Sequence, residues 1–186
     1  YLSHHQHILV MAIDHESRIT LRPFKESDAD DVLLWASDER VMQYMRLELC
    51  KSREQASNFI KNDCIYPFQQ SICLNDHSIG IVFVLPYPDA KFKADLGYAI
   101  GFNYWGQGVA TKAVKILLSC VFQDFPDLVR LQANTRPDNI ASQRLLEKVG
   151  FQREGLFRKG IYNKGNVEDF CIFSFLSTDE IPHAKG

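Results

Sequence analysis

The chain has 186 residues, a net charge of −2, 46% apolar residues and 24% charged residues. That length suits one domain with a full-sized core, and the composition excludes a disordered chain. The balanced charge removes the global basic field that nucleic acid or an anionic membrane surface would select.

Residues 1–17 differ in character from the rest of the chain. His4, His5 and His7 cluster there, as in a metal site. The stretch reads instead as a flexible, expression-derived leader, and Met11-Ala12-Ile13-Asp14 resembles a natural start. The longest apolar run, Ile8–Ile13, is far shorter than the roughly 18 residues of a membrane helix and too short for a signal-peptide core. Five cysteines, Cys50, Cys64, Cys73, Cys120 and Cys171, are odd in number and never spaced as CxxC. They read as reduced thiols in a cytoplasmic or nuclear protein, with no metal.

Ile19–Arg22 alternates as a strand and Pro23 ends it. Ser27 is placed as the N-cap of a helix carrying Ala29, Val32, Leu33 and Ala36. Ser52-Arg53-Glu54-Gln55 has the capping-box pattern, opening a second helix that runs to Asn62. Gln70–Leu74 and Ser78–Leu85 read as a hairpin closed by a three-to-four-residue loop, with Pro86 and Pro88 breaking the pattern. Ala94–Ile100 is a strand that feeds a glycine-rich turn. A helix then starts at Gly108, with Ala110, Ala113, Val114, Leu117 and Val121 on its apolar face. Leu128–Asn134 reads as a strand and Asn139–Val149 as a helix with Ala141, Leu145 and Val149 as its stripe, ended by Gly150. Phe151–Phe157 and Asp169–Leu176 are the last strands, joined through a turn at Tyr162–Asn166. The order β-α-α-β-β-β-α-β-α-β-β gives a mixed α/β (α+β) domain over residues 18–178, with a tail at 179–186.

The turn Tyr104–Gly108 carries chemistry. A strand, a glycine-rich turn and a helix together hold anions, because the first helical N–H groups lack intrahelical partners and sit at the positive dipole end. Gly106 and Gly108 allow close backbone approach, although a tight connection also needs glycines for its dihedrals alone. Thr111 occupies the third glycine position of a dinucleotide fingerprint, and no Gly-Lys-Ser/Thr follows, so neither nucleotide motif fits. Asn139 opens the second helix of interest, where capping by itself also explains it.

Trp105-Gly106-Gln107-Gly108-Val109-Ala110-Thr111 resembles motif A of the GNAT N-acetyltransferase superfamily, and Asn139–Phe151 resembles its motif B. Thr20-Leu21-Arg22-Pro23-Phe24 is similar to the ribosomal-protein-alanine/serine N-acetyltransferase branch. The resemblance covers about residues 18–177 and implies direct transfer of acetyl from acetyl-CoA to a primary amine within a ternary complex. By similarity, the backbone of Gln107, Gly108, Val109, Ala110 and Thr111 cradles the CoA pyrophosphate. Tyr98, Ala99 and Ile100 lie beside the pantetheine arm, one of their N–H groups holding the thioester carbonyl. Asn139 contacts the arm and Ser142 lies near the sulfur. Trp105 stands where the motif usually has Gln or Arg. Leu146 stands where many relatives carry an acidic tyrosine, so Ser142 is the substitute proton donor, with Tyr98 behind it. Asp95 is the candidate base and Asp169 the second.

Trp35, Tyr44, Met45 and Tyr162 are candidates to contact the acceptor, with core packing the alternative for the first three. Glu39, Glu48 and Glu54 offer attraction for a cation, and Lys112, Arg144 and Lys148 reach for the nucleotide phosphate. The favoured acceptor is a protein N-terminal α-amine. Its unperturbed pKa of about 7.7–8.0 needs far less help than the roughly 10.4 of lysine. A small amine (polyamine, amino sugar or amino acid) is the alternative. A non-catalytic CoA sensor is a third reading, for which Leu146 speaks.

Overall fold

The computed structural model describes residues 18–182. The described residues include seven strands in one sheet: β1 (Ile19–Arg22), β2 (Gln69–Leu74), β3 (His77–Tyr87), β4 (Ala90–Ile100), β5 (Arg130–Thr135), β6 (Gln152–Asn163) and β7 (Asn166–Leu176). Their spatial order is β1-β2-β3-β4-β5-β7-β6. Only the β4–β5 pair is parallel. The helices are α1 (Ala29–Ala36), α2 (Glu39–Met42), α3 (Arg53–Asn62), α4 (Val109–Asp124) and α5 (Ile140–Lys148). The mixed, mostly antiparallel sheet flanked by helices is the architecture that the sequence pattern implies. The leader at 1–17 lies outside the described residues, as does part of the tail.

Strand alternation divides the core in two. Ala94, Leu96 and Ile100 of β4 pack with Val109, Ala113, Val114 and Leu117 of α4 and with Leu146 and Val149 of α5. Ala99 and Ile81 turn to the other face and pack with Val32, Trp35, Val41, Met42, Ala56 and Ile60 of α1–α3. The α5 stripe is therefore Leu145, Leu146 and Val149, while Ala141 is exposed.

Several boundaries differ from the sequence pattern for local reasons. Ser27 sits inside a 3-10 turn, Glu26–Asp28, and caps nothing. Ser52 does cap α3 by accepting from the Gln55 N–H, but Gln55 Oε1 accepts from Lys51 N rather than Ser52 N. The β2–β3 loop has two residues, Asn75 and Asp76, with φ of 52° and 67°. Asn and Asp tolerate that left-handed geometry, which matches the twist of a hairpin. Pro86 stays in β3, opposite Ala94, because β2 pairs with β3 only as far as Phe83. Its missing N–H therefore falls on an open edge. Helix α2, capped by the Asp38 side chain at Arg40 N, is too short to show periodicity in sequence.

Arg22 ties the N-terminal part together. Its guanidinium makes two bonds to the Asp28 carboxylate (2.7 and 2.9 Å) and one from Nε to Asp76 Oδ1 (2.7 Å). Asp28 also accepts from Lys25 N at 2.8 Å. The Arg22 and Asp28 side chains are 7% and 5% exposed, so losing Asp28 leaves the buried guanidinium with the exposed Asp76 as its remaining carboxylate partner. We expect Asp28→Ala to cost about 3–5 kcal/mol in urea unfolding. Asp30→Ala, which breaks the exposed pair with Arg53, should cost no more than about 1 kcal/mol. Equal costs for the two would contradict this assignment.

Candidate active site

β4 and β5 pair only from Lys93↔Arg130 to Asp95↔Gln132, although β4 continues to Ile100 and β5 to Thr135. Beyond Asp95 the two parallel strands diverge. The Gly101 N–H donates to Ile79 O at 2.8 Å, which sets the phase of the β3–β4 ladder. Alternation then turns Gly97 and Ala99 toward β3 and the main-chain groups of Tyr98 and Ile100 toward the opening. Ile100 O is met there by Trp105 Nε1 at 2.8 Å, while the Tyr98 backbone faces the gap.

Two helix N-termini border the same gap. Gly106 and Gly108 have φ of +74° and +76°, and a Cβ on either would meet no atom within 4 Å. Only glycine takes this conformation at little cost, and the space above it is open. The first backbone bond of the helix runs from Lys112 N to Gly108 O, so the N–H groups of Gly108–Thr111 lie ahead of it. At α5, Asn139 Oδ1 accepts from Ser142 N at 3.2 Å. The cleft at these termini has a volume of about 590 Å³. Tyr98, Ala99, Ile100, Gly108, Val109, Ala110, Thr111, Asn139 and Ser142 all line it. Gln107 does not; its side-chain amide donates to Asn103 O at 2.7 Å. Arg144 and Lys148 line the cleft and Lys112 does not.

A second cavity of about 260 Å³ lies on the α1–α3 side and reaches through the gap as far as Leu146. Tyr44, Met45, Tyr98, Asn139 and Ser142 line both spaces, so the two meet there. At that junction the Tyr98 and Ser142 hydroxyls are 2.8 Å apart. Burial raises the Tyr98 pKa well above the usual phenol range, against the lowering effect of Ser142. Asp95 lines the second cavity, and burial pushes its pKa up. The Tyr87 hydroxyl, donating to Asp95 Oδ1 at 3.0 Å, pulls it back, and so do Arg46 and Lys93. The Phe83 ring lies across Gly97, where a Cβ would come within 2.0 Å of it, and forms an aromatic wall. Leu146 is 1% exposed and lines the same cavity without a hydroxyl.

Other sequence candidates lie elsewhere. Trp35 is 3% exposed, packs edge-on to Phe59 and lines neither space, so its position is a core one. Tyr162 is 72% exposed on the β6–β7 hairpin and also lines neither. The tip of that hairpin does reach the end of α2, where Lys164 Nζ donates to Met42 O at 2.9 Å. Asp169 accepts from Lys159 N at 2.8 Å and supports an irregularity in β6. Glu39, Glu48 and Glu54 line neither space. Sequence reading missed Tyr87, Phe83 and Arg136. Arg136 lies 5.6 Å from the Tyr44 ring and pairs with Asp138 and Glu168. Among the described residues no group of three His, Cys, Asp or Glu side chains is placed to hold a metal ion, and no helix is long and apolar enough to cross a membrane.

Comparison with known proteins agrees with this geometry. The model of the acetyltransferase (GNAT) domain family matches residues 18–152. The uncharacterized N-acetyltransferase p20 of Bacillus licheniformis is 32% identical over 169 residues, covering 87% of this chain and 94% of its own. A GNAT-family acetyltransferase from Bacillus anthracis superposes with a TM-score of 0.76 at 25% identity, over 86% of this chain and 95% of that one. RimL, a ribosomal alpha-N-protein acetyltransferase solved with coenzyme A, shares the fold with a TM-score of 0.72 at 19% identity, over 86% and 94%.

The raised pKa of Asp95 has a thermodynamic consequence. The folded protein holds the Asp95 proton to a higher pH than the unfolded chain does, so ionising it opposes folding as pH rises. Asp95→Asn removes that cost and can still accept from Tyr87. Its stability relative to the unsubstituted protein should therefore grow between about pH 4 and about pH 7 in urea unfolding. A difference that is constant or shrinks over that range would show that burial does not control this carboxyl.

Proposed function

The chain belongs to the GNAT acetyltransferase family, and from that premise we propose that it carries acetyl from acetyl-CoA to the α-amine at a protein N-terminus. The observation that carries this reading is the meeting of two separate spaces at the Tyr98–Ser142 pair, between the diverging strands. One space suits an anionic, extended cosubstrate and the other a small amine head. The fit to acetyl-CoA rests on three features: the open space over Gly106 and Gly108, the free end of α4, and the unpaired β4 edge at Tyr98.

Acetyl-CoA supplies a thioester carbonyl activated toward attack by an amine. The N–H groups of Gly108, Val109, Ala110 and Thr111 bind the pyrophosphate through the helix dipole. Arg144 and Lys148 add positive charge along the same cleft. The Tyr98 backbone pairs with the extended arm, and its N–H is aimed at the carbonyl oxygen as negative charge develops there. A preorganised donor of this type is worth about 2.7–4 kcal/mol. Asp95 takes the proton that the amine sheds. Ser142 gives a proton toward the departing sulfur and is resupplied by Tyr98 through their shared hydrogen bond; the second proton shed by the acylated nitrogen returns to this pair as the carbon–sulfur bond breaks, restoring the phenol that burial keeps neutral. A CoA thiol resembling cysteine, with a pKa of about 8.5, asks little of its acid.

A small-molecule amine is the second reading, and the confined acceptor cavity favours it. Mass spectrometry on a panel of peptides and small amines separates the two by which acceptor gains an acetyl group. Release of CoA thiol with any acceptor also rejects the sensor reading. Acetyl-CoA at 100 times its Kd should stabilise the fold by about 2.7 kcal/mol. Gly108→Asp should abolish that shift, because it places an anion at the helix end, and Asp is among the residues least strained at a left-handed φ. Unchanged affinity in a folded Gly108→Asp protein would sink the assignment. Ser142→Ala should lower kcat by about 100-fold with KM for acetyl-CoA nearly unchanged.

A further inference from the structure

We propose that Tyr87 is the positioning residue for the carboxylate that takes the acceptor's proton, a role that rests on the reading of Asp95 as base. β3 and β4 pair with Leu85 opposite Asp95, so Tyr87, two residues beyond Leu85, stands on the same face as the carboxylate. The register shifts between Pro86 and Tyr87, setting Tyr87 opposite Ala90 rather than Lys93. Irregularities of this kind re-aim side chains beside a site. The ring is fixed on two sides: Lys93 Nζ lies 4.3 Å from its centroid, and its hydroxyl donates to Asp95 Oδ1 at 3.0 Å. That bond occupies Oδ1 and leaves Oδ2 for the acceptor.

The consequence is chemical as well as geometric. When the ammonium N–H bond breaks, its proton forms an O–H bond with Asp95, and the electron pair left on nitrogen attacks. The carboxyl must be ionised beforehand, and burial works against that. Tyr87 donates to the ionised form and favours it. The other groups around Asp95 are accounted for. Arg46, following α2, and Lys93, on β4 itself, both favour the charged form. Gln132, opposite on β5, is neutral and is held by Arg130 at 3.3 Å. Asp63 and Arg136 line the same cavity at the α3 and β5 ends. Tyr87 is the neutral member of this set that bonds the carboxylate directly. Replacing it with Phe removes that bond and leaves the net charge and the ring.

The test is the pH profile of kcat/KM for Tyr87→Phe with saturating acetyl-CoA and the best acceptor from the panel. The acid limb should move to higher pH by about one unit, with KM for acetyl-CoA essentially unchanged and stability lost only at pH values where the Asp95 carboxyl is ionised. Two acceptors with different amine pKa values identify the limb: the part belonging to the acceptor moves with it, and the part belonging to Asp95 does not. Carbon NMR titration of the Asp95 carboxyl should show the same upward shift without turnover. A limb and a carboxyl titration that both stay in place would overturn the role of Tyr87. A carboxyl titration that moves while the limb stays, or an Asp95→Asn protein that keeps the full limb, would instead overturn Asp95 as the base.

Discussion

The parting of β4 from β5 is the constraint on which the rest of this site depends. Parallel strands normally keep their ladder because unpaired backbone groups are costly to bury. Here the ladder stops at Asp95↔Gln132 while both strands run on. The opening places the Tyr98 backbone, the free end of α4, the Asn139-capped end of α5, and two spaces from opposite faces of the sheet around one point. A sheet paired to its end would separate those spaces and satisfy the Tyr98 main chain internally. The reaction proposed for the site needs both a ligand for that edge and a passage through the sheet.

Holding the sheet open requires rigid material on both sides. On one face α4 packs through Val109, Ala113, Val114 and Leu117, all nearly inaccessible. On the other, Trp35, Met42 and Phe59 build a second core that supports the segment carrying Tyr44 and Met45. The buried Arg22–Asp28 pair fixes the start of that helical layer to β1 and to the β2–β3 turn. Lys164 and Arg136 fasten the other side, reaching Met42 and Tyr44 from the β6–β7 hairpin and the end of β5. The second cavity is thus assembled from segments far apart in sequence.

The electrostatics follow from this geometry. The chain is close to neutral overall, and the cleft at the start of α4 is lined mainly by backbone and apolar groups, with Arg144 and Lys148 as its cations. Burial moves the two central ionisable groups upward, Tyr98 strongly and Asp95 less, and their neighbours oppose it to different degrees. Burial thus keeps a phenol protonated beside Ser142, while Tyr87 favours the ionised form of Asp95 against burial, and the reaction proposed for the site asks for that division of labour.

Much of this was legible in the residue order. Local composition and periodicity located the seven strands, the glycine-rich turn marked the start of α4, and Asn139 marked the start of α5, because these signals depend on periodicity, dihedral freedom and capping within a few residues. The boundaries that moved were set by neighbours, as where Pro86 stays in β3 because no strand faces its missing N–H. Many residues that line the first cleft lie on one continuous strand–turn–helix segment, so the residue order brackets them; those of the second cavity are scattered along the chain. Trp35 and Tyr44 are similar aromatic candidates in sequence, yet one is in the core and the other lines both cavities. Nothing local tells Tyr87 that it will meet Asp95, or Phe83 that it will cover Gly97. The sequence by itself determined most of the elements and the open glycine-rich turn, through forces that act along the chain. Only the tertiary structure decided which side chains share the space where the strands part, because that depends on how the two helical layers close over an opened sheet.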